Sequence, residues 1–237
     1  MRRHGAGLLA VSLFVFAALV VSCAKPYHED NERYVFVSAN INLPYWKQAE
    51  AGFLDAAKAL GVKAELVGPE TYDPFGEITL FRKVVDQNPT GICLSAAKPE
   101  LFVQEIEKAV LQGIPVICVD ADVPGSKRIL YIGTDNLNAG RESMRRMSAL
   151  VPGGGKIVVL TIPGQRNLDD RLAGVVDALK NFPALKLTKI LDDKGDARSA
   201  NDQLSDLIQK ATTNLFENEL PGIVCWDKHC FERCLRT

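Results

Sequence analysis

From Tyr34 onward the chain alternates short apolar runs with longer segments of helical periodicity, and no other feature restricts its fold as much. Strands are expected at Tyr34–Ala39, Val62–Val67, Thr90–Leu94, Pro115–Val119, Ile129–Ile132, Lys156–Thr161, Leu185–Leu191 and Gly222–Trp226. Helices are expected at Pro44–Leu60, Phe75–Gln87, Pro99–Gln112, Gln165–Phe182 and Ala197–Thr213, with another capped by Asp135 and running to about Val151. In the first of these, Trp46, Ala49, Phe53, Ala56 and Leu60 recur at helical spacing. Several strands are continuous apolar runs without alternation, as parallel strands covered on both faces are. Right-handed βαβ crossovers then give a doubly wound, parallel α/β architecture. The alternation restarts after Gly133–Thr134, so two such halves are expected, 34–133 and 134–237.

Composition narrows the function. Among 237 residues, 28 Lys and Arg balance 29 Asp and Glu, for a net charge of -1. That leaves no basic footprint for nucleic acid. Hydrophobics at 47% and charged residues at 24% describe a folded globular chain, and aromatics at only 7% predict an aliphatic core.

The N-terminus reads as an address. Arg2 and Arg3 precede an apolar run from Ala6 to Val21, about sixteen residues against the roughly twenty of a membrane span. Val20-Val21-Ser22-Cys23 follows, similar to the bacterial lipobox, in which a cysteine after a small residue is lipidated. The expectation is a signal peptide over 1–22 and a lipidated tether over 23–33. A plain signal peptide or a short N-terminal anchor remains the alternative. Cys93 and Cys118 sit inside apolar strand runs and read as buried free thiols.

Doubly wound sheets bind ligands beyond the carboxyl ends of their strands. Those positions here fall at Ser38–Trp46, Ser95–Lys98, Asp120–Pro124, Thr161–Arg171, Asp192–Arg198 and Trp226–Asp227. They supply aromatics, amides, carboxylates and Arg171, which suit a neutral polyhydroxylated ligand whose C–H faces stack while its hydroxyls meet polar forks. Phosphate would call for clustered backbone amides and Lys instead.

The motif Ser38-Ala39-Asn40-Ile41-Asn42-Leu43-Pro44-Tyr45-Trp46 resembles the first strand–helix unit of the type I periplasmic sugar-binding proteins, the ribose-, galactose- and xylose-binding family that serves ABC transporters. Gly113-Ile114-Pro115-Val116 through Val119-Asp120-Ala121-Asp122 is similar to that family's fourth strand. Tyr131-Ile132-Gly133-Thr134-Asp135-Asn136 with Ala139-Gly140-Arg141 is similar to its first crossing between lobes. The resemblance runs from Tyr34 to about Trp226. It implies that the two halves are lobes joined by a hinge and closing on a monosaccharide or related polyol, with no catalysis and no cofactor or metal. It also implies an exported monomer that delivers ligand to a membrane permease, or a sensing lobe presenting a bound sugar to a receptor. Carried over by position, the ligand residues are Asn42, Tyr45, Trp46, Asp120, Asp122, Arg171 and Asp227. Leu43 stands where ribose binders carry an amide and Ala121 where they carry an Arg, which argues against ribose itself. Each residue has a plainer role as well: Trp46 as core, Asn42 as turn, Asp120 as a local cap, Arg171 paired with Asp169 or Asp170.

Other signals are weaker. Gly153-Gly154-Gly155-Lys156 precedes its strand, whereas a phosphate loop follows one, so a tight turn is expected. Cys225, His229, Cys230 and Cys234 lack zinc-knuckle spacing. Only His4, His28 and His229 exist, so no Ser-His-Asp triad can be built in the α/β body. The family needs further elements after the strand at Gly222, so the second lobe is expected to be incomplete, from truncation or frameshift.

Overall fold

The computed structural model describes residues 28–213 and 222–225. The expected signal peptide, Cys23 and most of the tether lie outside the described residues, as do Trp226, Asp227, Cys230 and Cys234. Two parallel sheets form. The first holds β1 (Arg33–Ser38), β2 (Lys63–Val67), β3 (Gly91–Ser95), β4 (Val116–Val119) and β5 (Tyr131–Ile132), in the order β2-β1-β3-β4-β5. The second holds β6 (Gly155–Thr161), β7 (Leu185–Asp192) and β8 (Gly222–Cys225), in the order β7-β6-β8. Every pairing is parallel, as the continuous apolar runs predict.

Helices α1 (Pro44–Leu60), α2 (Pro74–Asp86) and α3 (Pro99–Leu111) serve the first sheet. Each begins with proline, whose missing N–H has no intrahelical partner at that position anyway. Helix α1 ends at Gly61, whose φ of 72° turns its N–H back onto Ala57 and Lys58 carbonyls. Phe102, Ile106 and Ala109 of α3, and Ile78, Phe81 and Val85 of α2, recur every three or four residues and are buried against Val35, Val37, Leu94 and Val116 of the strands. Phe81 and Phe102 meet edge to face at 5.5 Å. Cys118 is fully buried and Cys93 half-buried; both are free, and burial pushes both thiols up to about 11.

The chain leaves the first sheet after β5 and enters α4 (Asn136–Leu150), whose N-cap Asp135 accepts the Asn138 N–H at 3.1 Å. Helices α5 (Arg166–Leu179) and α6 (Ala197–Thr213) serve the second sheet. Strand β6 shows the two-residue alternation directly. Ile157 and Val159 join Met144 and Val175 on one face, while Val158 and Leu160 join Ala200 and Leu204 on the other. The triple glycine is a tight turn: Gly154 has φ 77°, and a Cβ there would meet the Ala184 carbonyl oxygen at 2.4 Å.

Two boundaries differ from the sequence expectation by more than one residue. Helix α5 stops at Leu179 rather than Phe182, because Pro183 disfavours helical backbone in the residue before it. Strand β5 starts at Tyr131, although Ile129 already donates its N–H to Val116 O at 2.8 Å.

Helices α4 and α5 cross at two glycines. A Cβ on Gly140 would lie 1.9 Å from the Arg171 carbonyl oxygen, and one on Gly174 would lie 2.0 Å from that of Leu137. Only hydrogen at both positions allows the backbones to approach this closely. The crossing fixes where Arg171, on α5, meets Asn136, the first residue of α4.

Candidate functional site

Strand β4 is followed by Asp120, which adopts φ 65°. Aspartate tolerates this left-handed conformation better than most residues. Tyr131 holds the turn by donating its hydroxyl to the Asp120 carbonyl at 2.8 Å. The carboxylate then reaches both lobes. Tyr45 of α1 donates to Oδ1 at 2.8 Å, and Asn167 of α5 donates through Nδ2 to Oδ2 at 3.1 Å. Burial raises the Asp120 pKa, while the Tyr45 hydrogen bond and the Arg171 charge oppose the rise. Tyr45 is raised in turn, first by burial and then by the carboxylate beside it.

Arg171 lies opposite. Its Nε and one terminal nitrogen both donate to Asn136 Oδ1, at 3.0 and 2.5 Å, while Asn136 Nδ2 donates to Thr134 O at 3.1 Å. Burial lowers the guanidinium pKa and the Asp120 charge resists that shift. Asp170 takes Arg166 instead, at 2.8 Å. Asn136 and Asn167 are each only 6% exposed, so both amides are locked in place.

These groups border an interlobe cleft of about 260 Å³. Tyr45, Trp46, Asp120 and Arg171 line it, joined by Thr161, Gln165 and Asp193 and by aliphatic Leu43, Ile162 and Leu168. Trp46 serves core and cleft together: it is buried, edge-on to Phe36 at 5.7 Å and to the half-exposed Tyr45 at 4.9 Å. Thr161 Oγ1 and Gln165 Oε1 are buried without a hydrogen-bond partner among the described residues. A buried polar atom in that state is stabilised by a ligand hydroxyl.

Four sequence-named residues, Tyr45, Trp46, Asp120 and Arg171, are thus brought together. Asn42 is exposed at the entrance to α1 and does not line the cleft. Asp122 is held bidentately by Arg128, caps the Val123 N–H at 2.8 Å, and borders a smaller neighbouring cavity of about 110 Å³. Asp227 lies outside the described residues. Thr161, Gln165, Asn167 and Asp193 all fall within the strand-end windows, but nothing in their own sequence context distinguished them. Asn136 falls outside those windows and is identified only by its contact with Arg171.

Among the described residues no group of three or more His, Cys, Asp or Glu is arranged to hold a metal ion. None of the described helices is long and apolar enough to cross a membrane.

Residues 34–229 match the model of the periplasmic binding protein domain. The xylose/arabinose-binding protein XylF of Sulfolobus acidocaldarius is 24% identical over 159 residues, 62% of this chain and 40% of that protein. The D-allose-binding periplasmic protein of Escherichia coli is 22% identical over 187 residues, 75% of this chain and 60% of that protein. The chain therefore spans less than two thirds of the length of either curated relative. The crystal structure of a sugar-binding protein of a sugar ABC transporter from Bacillus halodurans is 32% identical, with a TM-score of 0.71, covering 84% of this chain and 67% of that one.

Proposed function

We propose, from the premise that this chain belongs to the periplasmic binding protein family, that it captures a monosaccharide or related polyol between its lobes. Capture proceeds without chemical turnover and serves an ABC transporter. The observation that carries this reading is the Asp120 carboxylate, held by Tyr45 of one lobe and Asn167 of the other beside the stacking face of Trp46 and the guanidinium of Arg171. Carboxylate and guanidinium present paired acceptors and donors to vicinal hydroxyls, and the aromatic pair takes the C–H face of a sugar ring. Groups from both lobes converge on one ligand, so its binding stabilises the closed arrangement over any open one. The boundary between lobes is placed at 133/134.

Isothermal titration of the full chain against pentoses, hexoses and polyols tests the proposal. Heat of binding at about micromolar affinity, roughly 8 kcal/mol, is the expected result; no heat from any sugar in the panel refutes it.

Export follows from the family, and we place the mature protein in the periplasm or at the cell surface, anchored through lipidated Cys23. Fatty-acid labelling tests the anchor: Cys23→Ser is expected to lose the label, and equal labelling of both forms removes the anchor from the reading.

A further inference from the structure

The cleft has an apolar wall that its polar groups do not explain. Leu43 comes from the first lobe, and Ile162 and Leu168 come from the second; all three are half-buried where they line the cleft. Leu43 is also the N-cap residue of α1, with φ -65° and ψ 138° and no side-chain cap hydrogen bond. Residues that cap helices well are Ser, Thr, Asp and Asn, and Leu is among the poorest. Among the other described helices, Asp73 and Asp135 cap α2 and α4 through their carboxylates, while Lys98 and Gln165 precede α3 and α5 without a side-chain cap.

On the reading that the ligand is a sugar, we infer that it is one without a hydroxymethyl group, a pentopyranose or a 6-deoxyhexopyranose. The polar side chains that line the cleft and can meet ring hydroxyls include Tyr45, Asp120, Arg171, Thr161, Gln165 and Asp193. A hydroxymethyl group turned toward Leu43, Ile162 and Leu168 loses water and finds no hydrogen-bond partner there. A methyl group or a hydrogen at the same ring carbon loses nothing and contacts the aliphatic side chains.

Three sets of sugars with matched ring stereochemistry, differing only in the substituent at C5, test this by isothermal titration of the full chain. They are D-galactose, D-fucose and L-arabinose; D-glucose, 6-deoxy-D-glucose and D-xylose; and D-mannose, D-rhamnose and D-lyxose. In whichever set binds, the hydroxymethyl member is expected to be weaker than its best partner by about 10- to 100-fold. Leu43→Asn is expected to narrow that gap to within about threefold, and to raise the thermal midpoint because asparagine caps α1. Leu168→Gln provides a second variant that narrows the gap without touching that cap. A hydroxymethyl sugar that binds wild type as tightly as its partners overturns the inference and leaves the sugar reading intact. A gap that neither variant changes overturns the assignment of the apolar wall. Failure of every sugar to bind a chain that is folded by circular dichroism overturns the sugar reading itself, and this inference with it.

Discussion

Gly174→Ala tests how the second lobe holds its half of the site. The new methyl carbon would sit 2.0 Å from the Leu137 carbonyl oxygen, 2.9 Å from the carbon behind it and 3.1 Å from the Arg141 nitrogen. All three are backbone atoms, so no side chain can rotate away. An ordinary contact begins near 3.4 Å, so α4 and α5 must separate by about 1.4 Å at this point. Overpacking a well-filled contact costs about 1–3 kcal/mol or more, and a clash of backbone against backbone belongs at the upper end. Separation also loosens Met144 and Val175, since a gap of about 0.5–1 Å already forfeits a quarter to a half of a dispersion contact. Better helix propensity returns at most about 1 kcal/mol. The net loss is about 2–3 kcal/mol, which for about 150–250 residues lowers the melting midpoint by about 4–12 °C. Gly52→Ala is the control: it lies at an exposed position of α1 with nothing within 4 Å of its would-be Cβ, so it should stabilise by about 0.5–1 kcal/mol. Thermal unfolding followed by circular dichroism measures both. The same Gly174 variant displaces Arg171 from Asn136, so sugar affinity should fall along with stability. A Gly174→Ala midpoint at or above that of wild type would refute the glycine-crossing argument.

Further perturbations probe other parts of the molecule. Asp120→Asn exchanges a charged acceptor for a neutral one and should weaken sugar binding by about 10- to 100-fold, measured by titration calorimetry. Because burial raises the Asp120 pKa, wild-type affinity should start to fall with decreasing pH above the ordinary aspartate range, and Asn167→Ala should move that limb further upward by removing a donor to the carboxylate. Glu77 is fully buried and accepts only the Ala97 N–H, at 3.1 Å, among the described partners; burial pushes its carboxyl up to about 8. The unfolded chain gives up that proton in the usual carboxylate range and the folded protein near pH 8, so wild-type stability should fall as pH rises between them. Glu77→Gln has no such proton and should show a flatter slope of midpoint against pH over that window. Asp73→Ala removes the acceptor for the Phe75 and Gly76 N–H groups and should cost about 1 kcal/mol in denaturant unfolding, with sugar affinity unchanged.

Sequence alone determined the architecture and directed attention to the strand ends. A two-residue period puts Ile157 and Val159 on one face of β6 and Val158 and Leu160 on the other. A period of 3.6 puts Phe102, Ile106 and Ala109 on one stripe of α3. Both follow from local backbone geometry, which neighbouring residues encode. Doubly wound topology then directs attention to strand ends, and Asp120 and Thr161 are such ends. The resemblance supplied Tyr45, Trp46 and Arg171, which the cleft brings together. What no local pattern encodes is which strand-end groups meet. Asn167 reaches Asp120 across the lobes, and Asn136 is set against Arg171 by a glycine crossing between helices that are separated in sequence. Asp122 turned aside because Arg128, six residues on, offers a bidentate partner more closely than the cleft does. Asn42 stayed at the surface because the extended backbone at Leu43 brings Leu43, and not Asn42, to the cleft. These outcomes depend on the distance and direction between whole elements, and only the packed tertiary structure sets those.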